Sequence, residues 1–101
     1  MKSALFHREL CKEMGLREIS YQRQVEVPVV YKGVVLNSHF RMDLIVRDKV
    51  IVELKSVDHV EEIHMAQCLT YLKLSSKKLC LLLNFNVISL REGIKRIVWN
   101  L

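Results

Sequence analysis

One proline and three glycines in 101 residues leave little material for linkers, and no repeat or low-complexity stretch interrupts the chain. A single domain spanning 1–101, with one core, is therefore expected. Long hydrophobic runs are also lacking. No apolar segment approaches the roughly eighteen residues of a membrane span, and Met1-Lys2-Ser3-Ala4-Leu5-Phe6 turns polar too soon for a signal peptide. The cysteines, Cys11, Cys68 and Cys80, are three and widely spaced, which fits neither a disulfide framework nor a Cys-x-x-Cys zinc pattern. Cys80 sits in the apolar run Leu79 to Leu83, where a thiol acts as a small hydrophobe. A reducing cytoplasm is the expected compartment. His7, His39, His59 and His64 have no metal-ligand spacing among them.

Half of the residues are hydrophobic, so the chain should fold. The net charge is +5, and the basic residues form no long tail: Lys73, Lys77 and Lys78 bracket a helix end, Arg91, Lys95 and Arg96 lie near the C-terminus, and Arg17, Arg23 and Lys32 lie earlier. Such a balance suits a polyanionic partner, although most of these charges read as solvated surface.

The most informative stretch is Phe40 to Lys55. Arg47-Asp48-Lys49 is a polar break between two apolar runs and reads as a three-residue hairpin loop. Centring the turn on Asp48 pairs Val46 with Val50, Leu44 with Val52 and Met42 with Leu54 on an apolar face, and Ile45 with Ile51, Asp43 with Glu53 and Arg41 with Lys55 on the other. A slip of one residue would mix the faces. Opposed residues in a sheet have Cβ atoms roughly 4.5–5.5 Å apart, and like charges there are unfavourable unless neutralised. A hard cation such as Mg²⁺, which prefers oxygen ligands, would neutralise them. Lys55, two residues beyond Glu53, shares its face and is placed to orient a water or to offset charge on a phosphoryl group. Val50 to Leu54 is apolar enough for a strand buried on both faces, where charges need an explanation.

Around this hairpin the pattern predicts a helix over about Ser3 to Met14, with Leu5, Phe6, Leu10 and Met14 inward and Gly15 as its stop. Strands follow at Ile19 to Tyr31 (Pro28 near an edge or bulge), Val34 to Val46 (bent near Asn37-Ser38) and Val50 to Ser56. A helix from Glu62 to Leu74, with Met65, Leu69 and Leu72 inward, leads to a strand over Lys78 to Phe85, an exit turn at Asn84-Phe85-Asn86 and a final strand at Ile94 to Trp99. The order is α-β-β-β-α-β, and the second helix is a crossover that makes its flanking strands parallel. Gln67 and Tyr71, four apart, share a helix face and could reach the acidic end of the hairpin, where they would contact a phosphate. Without those acids, both read as ordinary helix-surface and interface residues, and His64 as a structural helix-edge histidine.

The strand order, the hairpin acids and the Gln-x-x-x-Tyr helix together resemble the PD-(D/E)xK nuclease superfamily. More narrowly, Gln24-Val25-Glu26-Val27-Pro28-Val29-Val30-Tyr31-Lys32-Gly33, Phe40-Arg41-Met42-Asp43, Val50-Ile51-Val52-Glu53-Leu54-Lys55, His64 to Leu72 and Leu82-Leu83-Asn84-Phe85-Asn86 resemble the GxxExxY proteins of that superfamily. The resemblance implies an α/β, restriction-endonuclease-like core with a mixed central sheet flanked by helices. It also implies Asp43 and Glu53 as ligands of Mg²⁺ or Mn²⁺, Lys55 as catalytic lysine, Gln67 and Tyr71 as the supporting pair, and phosphodiester hydrolysis of nucleic acid, DNA first, without a membrane. The beginning departs from the pattern. Phe6 stands at the tyrosine position of the Gly-x-x-Glu-x-x-Tyr element, which puts its glutamate near Lys2 or Ser3 and its glycine before Met1. The expectation is an N-terminally truncated member with impaired turnover. The alternative is a catalytically silent domain that binds nucleic acid or a protein partner, and a homodimer through Leu79 to Leu83 or Ile97-Val98-Trp99 is a third option.

Overall fold

The computed structural model describes residues 2–86 and 93–100, without the side chains of 2–4, 28–31 and 34–39. Its order is α1 (Lys2–Leu16), β1 (Tyr21–Tyr31), β2 (Val34–Val46), β3 (Val50–Lys55), α2 (Glu62–Ser75), β4 (Leu79–Asn84) and β5 (Ile94–Val98). The strands form one sheet in the order β1-β2-β3-β4-β5. Only β3 and β4, joined through α2, run parallel; the other neighbours are antiparallel. This is the expected mixed sheet, with the last strand added at its edge. Because β4 lies between β3 and β5, it offers no free edge to a second copy, contrary to the dimer option through Leu79 to Leu83.

Alternation puts a core on each side of the sheet. On the α2 side, Ile45, Ile51, Cys80 and Leu82 meet Cys68, Tyr71 and Leu72, with Trp99 packed against them. On the α1 side, Leu44, Val52 and Leu54 meet Cys11 and Met14. Strand β3 is thus buried on both faces, as its apolar run suggested. At the hairpin, Val46 pairs with Val50, Ile45 with Ile51 and Leu44 with Val52. Arg47 and Asp48 both take positive φ, and the Lys49 N–H donates to the Val46 carbonyl, closing the tight turn.

Two regularities expected of the strands break. The β1–β2 register shifts between Val27 and Val29, around Pro28, where the second strand carries extra residues between Leu36 and Phe40, the region of the expected bend. Gln24, opposite Asp43, has φ 51° and no ladder partner. Across that point both strands change face: Tyr21, Leu44 and Val46 belong to the α1 core, whereas Val25, Val27 and Met42 belong to the α2 core. Met42 therefore leaves the face it was expected to share with Leu44.

The helices also rotate away from the simplest reading. In α1, Cys11 and Met14 are buried and Leu5 is exposed. In α2 the inward residues are Cys68, Tyr71 and Leu72, and Met65 is exposed, because Tyr71 rather than Met65 is tied to the sheet. Gly15 is not a stop; α1 continues to Leu16 and closes with Glu18 in the left-handed region and the Ile19 N–H bonded to the Met14 carbonyl. A Cβ at Gly15 would meet nothing within 4 Å. Gly15→Ala is accordingly expected to raise stability by about 0.5–1 kcal/mol in urea unfolding, through lower backbone entropy of the unfolded chain; a loss of stability would show that this turn needs a conformation alanine resists.

Candidate active site

The β2–β3 ladder stops at Leu44 and Val52, and the strands part just where the two acids stand. In place of ladder bonds, the side chains reach across. The Asp43 N–H donates to Glu53 Oε1 at 3.0 Å, and the Leu54 N–H donates to Asp43 Oδ2 at 2.8 Å. Each carboxylate thus satisfies a backbone donor of the opposite strand, which removes the cost of an orphaned amide. Asp43 Oδ1 and Glu53 Oε2 accept no bond among the described residues. Glu53 is only 2% exposed, and Asp43 is half-buried.

Helix α2 supplies the other wall. Lys55 Nζ donates to Gln67 Oε1 at 3.2 Å, Gln67 Nε2 donates to the Tyr71 hydroxyl at 3.0 Å, and that hydroxyl donates to the Arg41 carbonyl at 3.3 Å. The five residues singled out from the pattern, Asp43, Glu53, Lys55, Gln67 and Tyr71, are therefore brought together, with the last three in one hydrogen-bonded chain. Arg41 does not oppose Lys55; its guanidinium turns to exposed Glu26 at 3.5 Å. His64 is structural, accepting the Glu61 N–H at Nδ1 (2.9 Å) at the start of α2. His39 and the Lys2 and Ser3 side chains fall outside the described side chains, and Arg91 outside the described residues.

The electrostatics follow from burial and crowding. Desolvation, then the negative charge of Asp43, pushes the Glu53 carboxyl up from 4.5 to about 8, against the pull of the Asp43 N–H and Lys55. Burial, then Glu53 and Asp43, pushes the Tyr71 hydroxyl up to about 12, so it remains a donor at neutral pH. In the core, the neighbouring Cys68 and Cys80 thiols perturb each other: Cys80 lowers the Cys68 thiol, and Cys68, with burial, raises that of Cys80. All three cysteines are free and buried.

Two contributors were not singled out in the sequence. Asn84, buried at the end of β4, accepts the Val57 N–H at Oδ1 (3.1 Å) and donates from Nδ2 to the Val57 carbonyl (2.8 Å), pinning the segment that follows Lys55. An asparagine closing an otherwise apolar strand was the available signal. Gln24, the pivot of the face change, carried none.

The family model described as the PD-(D/E)XK nuclease superfamily matches residues 1–97. The chain belongs to that superfamily. The crystal structure of SSO0001 is similar in fold, with a TM-score of 0.64 and 21% identity over 98% of this chain and 51% of that one. The chain spans about half the length of that protein. No curated protein matches. Members of the superfamily typically use divalent metals. The donor set suits one: two carboxylates with an oxygen each to spare match a hard cation. Among the described residues, however, no group of three or more His, Cys, Asp or Glu side chains gathers to hold a metal. No described helix is long and apolar enough to cross a membrane.

Because Glu53 holds its proton more tightly folded than unfolded, the native state binds more protons than the unfolded chain between pH 4.5 and about 8. Stability in the presence of a chelator should fall as pH rises through that window, and Glu53→Gln, which keeps the acceptor for the Asp43 N–H, should flatten the fall. Thermal melts across the range check this; an equal slope in both proteins would mean Glu53 is ionised throughout.

Proposed function

We propose that the chain is a divalent-metal-dependent nuclease that hydrolyses phosphodiester bonds in DNA, with Mg²⁺ or Mn²⁺ held by Asp43 and Glu53. The observation that carries this reading is the pair of carboxylates, each with one oxygen unbonded among the described residues, near a lysine fixed by Gln67. A bound divalent ion would polarise the scissile phosphate and lower the pKa of a water. The chain's own part is positioning. Lys55, held at its ammonium by Gln67, offsets the negative charge that grows on the phosphoryl oxygens and orients the attacking water. Tyr71 keeps Gln67 in place from below. The three buried free thiols agree with a reducing cytoplasm. The stretches quoted above support the GxxExxY branch of the superfamily.

One observation favours a second reading. With two carboxylates and no third acidic or histidine ligand gathered among the described residues, cation affinity would be low, and the domain would act by binding nucleic acid or a protein partner without cutting it.

Plasmid and single-stranded DNA incubated with Mg²⁺ or Mn²⁺ separate the two. Cleavage by the wild type is expected to fall by roughly a hundredfold or more in Glu53→Ala and Lys55→Ala. Equal cleavage in all three proteins rejects catalysis by these groups. Absence of cleavage together with binding that weakens steeply with salt, as phosphate contacts demand, supports the second reading.

A further inference from the structure

A groove of about 470 Å³ opens along α2, lined by Phe40, Ile63, His64, Ala66, Gln67 and Thr70. Its volume falls in the range of roughly 300–1,000 Å³ typical of small-molecule sites. Its walls are mainly apolar, and two of them are large side chains left in solvent, Ile63 at 71% and Phe40 at 36% exposure. An exposed aromatic at a groove offers a flat apolar surface to a ligand. The Phe40 ring stands edge-on to Tyr71, with centroids 6.1 Å apart and planes at 77°, so its orientation is set by a core residue. Gln67 belongs to both places: it lines the groove and accepts the Lys55 ammonium.

We propose that this groove takes an unstacked nucleobase, so that the substrate is single-stranded or locally unpaired nucleic acid. The proposal rests on the nuclease reading and names the form of substrate that site accepts. A base lodged against Phe40 would lie in the groove that shares Gln67 with the site, and Gln67 holds the Lys55 ammonium that would meet its phosphate. A paired base in a duplex has both faces covered by its neighbours and cannot enter. An aromatic platform accepts any base, since each has a π-face. The polar groups around the rim fit that tolerance. His64 Nδ1 accepts the Glu61 N–H, so in the neutral ring Nε2 carries the proton and can donate. The Thr70 hydroxyl spends its proton on the Ala66 carbonyl and can accept. One donor and one acceptor, without a rigid paired pattern, recognise a base edge without choosing a sequence. The excess of Lys and Arg over acids suits the polyanion.

The test reads binding without turnover. A short oligodeoxythymidine carrying one 2-aminopurine is titrated with protein in EDTA, and a duplex of the same sequence serves as the second probe. Wild type is expected to quench the 2-aminopurine and to bind the single strand more tightly than the duplex. Phe40→Ala should weaken single-strand binding by roughly five- to 150-fold, the range for loss of one base–aromatic stack, and remove the quenching. Phe40→Tyr should retain both. An oligonucleotide abasic at the probe position, bound to wild type, should lose affinity like the alanine variant, which keeps the test independent of that variant's folding. Unchanged quenching in Phe40→Ala, equal affinity for the abasic strand, or a parallel loss of duplex binding would each overturn the groove assignment. Failure of the catalytic reading shows instead in the cleavage assay, where Phe40 is intact.

Discussion

The site depends on an exchange of hydrogen bonds between two strands. Where β2 and β3 would otherwise continue their ladder, Glu53 accepts the Asp43 amide and Asp43 accepts the Leu54 amide. The exchange lets two carboxylates sit side by side in the middle of a sheet without leaving backbone donors unpaired. It also uses only one oxygen of each. The cost is visible in Glu53, whose buried carboxyl resists ionisation beside Asp43. Carboxyls perturbed by burial and a like-charged neighbour cluster at functional sites, which is what makes this pair a candidate.

The rest of the fold maintains that exchange. Gln24 takes a left-handed backbone directly across from Asp43, at the level where both strands change face. Such a conformation in a non-glycine residue costs on the order of 1–3 kcal/mol and persists where surrounding structure imposes it. Below, Tyr71 fills the core and bonds the Arg41 carbonyl two residues before Asp43. On the other strand, Asn84 fastens the backbone just after Lys55. Packing and chemistry are thus not separable here: Tyr71 is at once a core residue and the anchor of the Gln67–Lys55 chain.

Much of this was legible because it follows from period and charge. The hairpin pairs from Val46–Val50 to Leu44–Val52 are dictated by the apolar alternation, and the parallel β3–β4 pair by the length of the crossover between them. The four-residue spacing of Gln67 and Tyr71 put both on the side of α2 that meets the acids. Illegible was whatever depended on a single backbone angle. Nothing in Gln24 announces a positive φ, and nothing in the β2 alternation announces the switch of Met42 to the α2 core. Gly15 looked like a stop because glycine often is one, yet α1 has room to pass through it. Met65 and Leu5 were placed inward by the helical spacing of apolar residues, whereas Tyr71 and Cys11 are the buried ones.

The account stands or falls on whether Asp43 and Glu53 together hold a cation. Titrating Mn²⁺ into the protein, with binding followed by the loss of the free-ion electron paramagnetic resonance signal, tests this directly. The prediction is one site in wild type and at least roughly a tenfold weaker one in Asp43→Asn, whose amide oxygen can still accept the Leu54 N–H. No site in wild type, or equal binding by the variant, would contradict it.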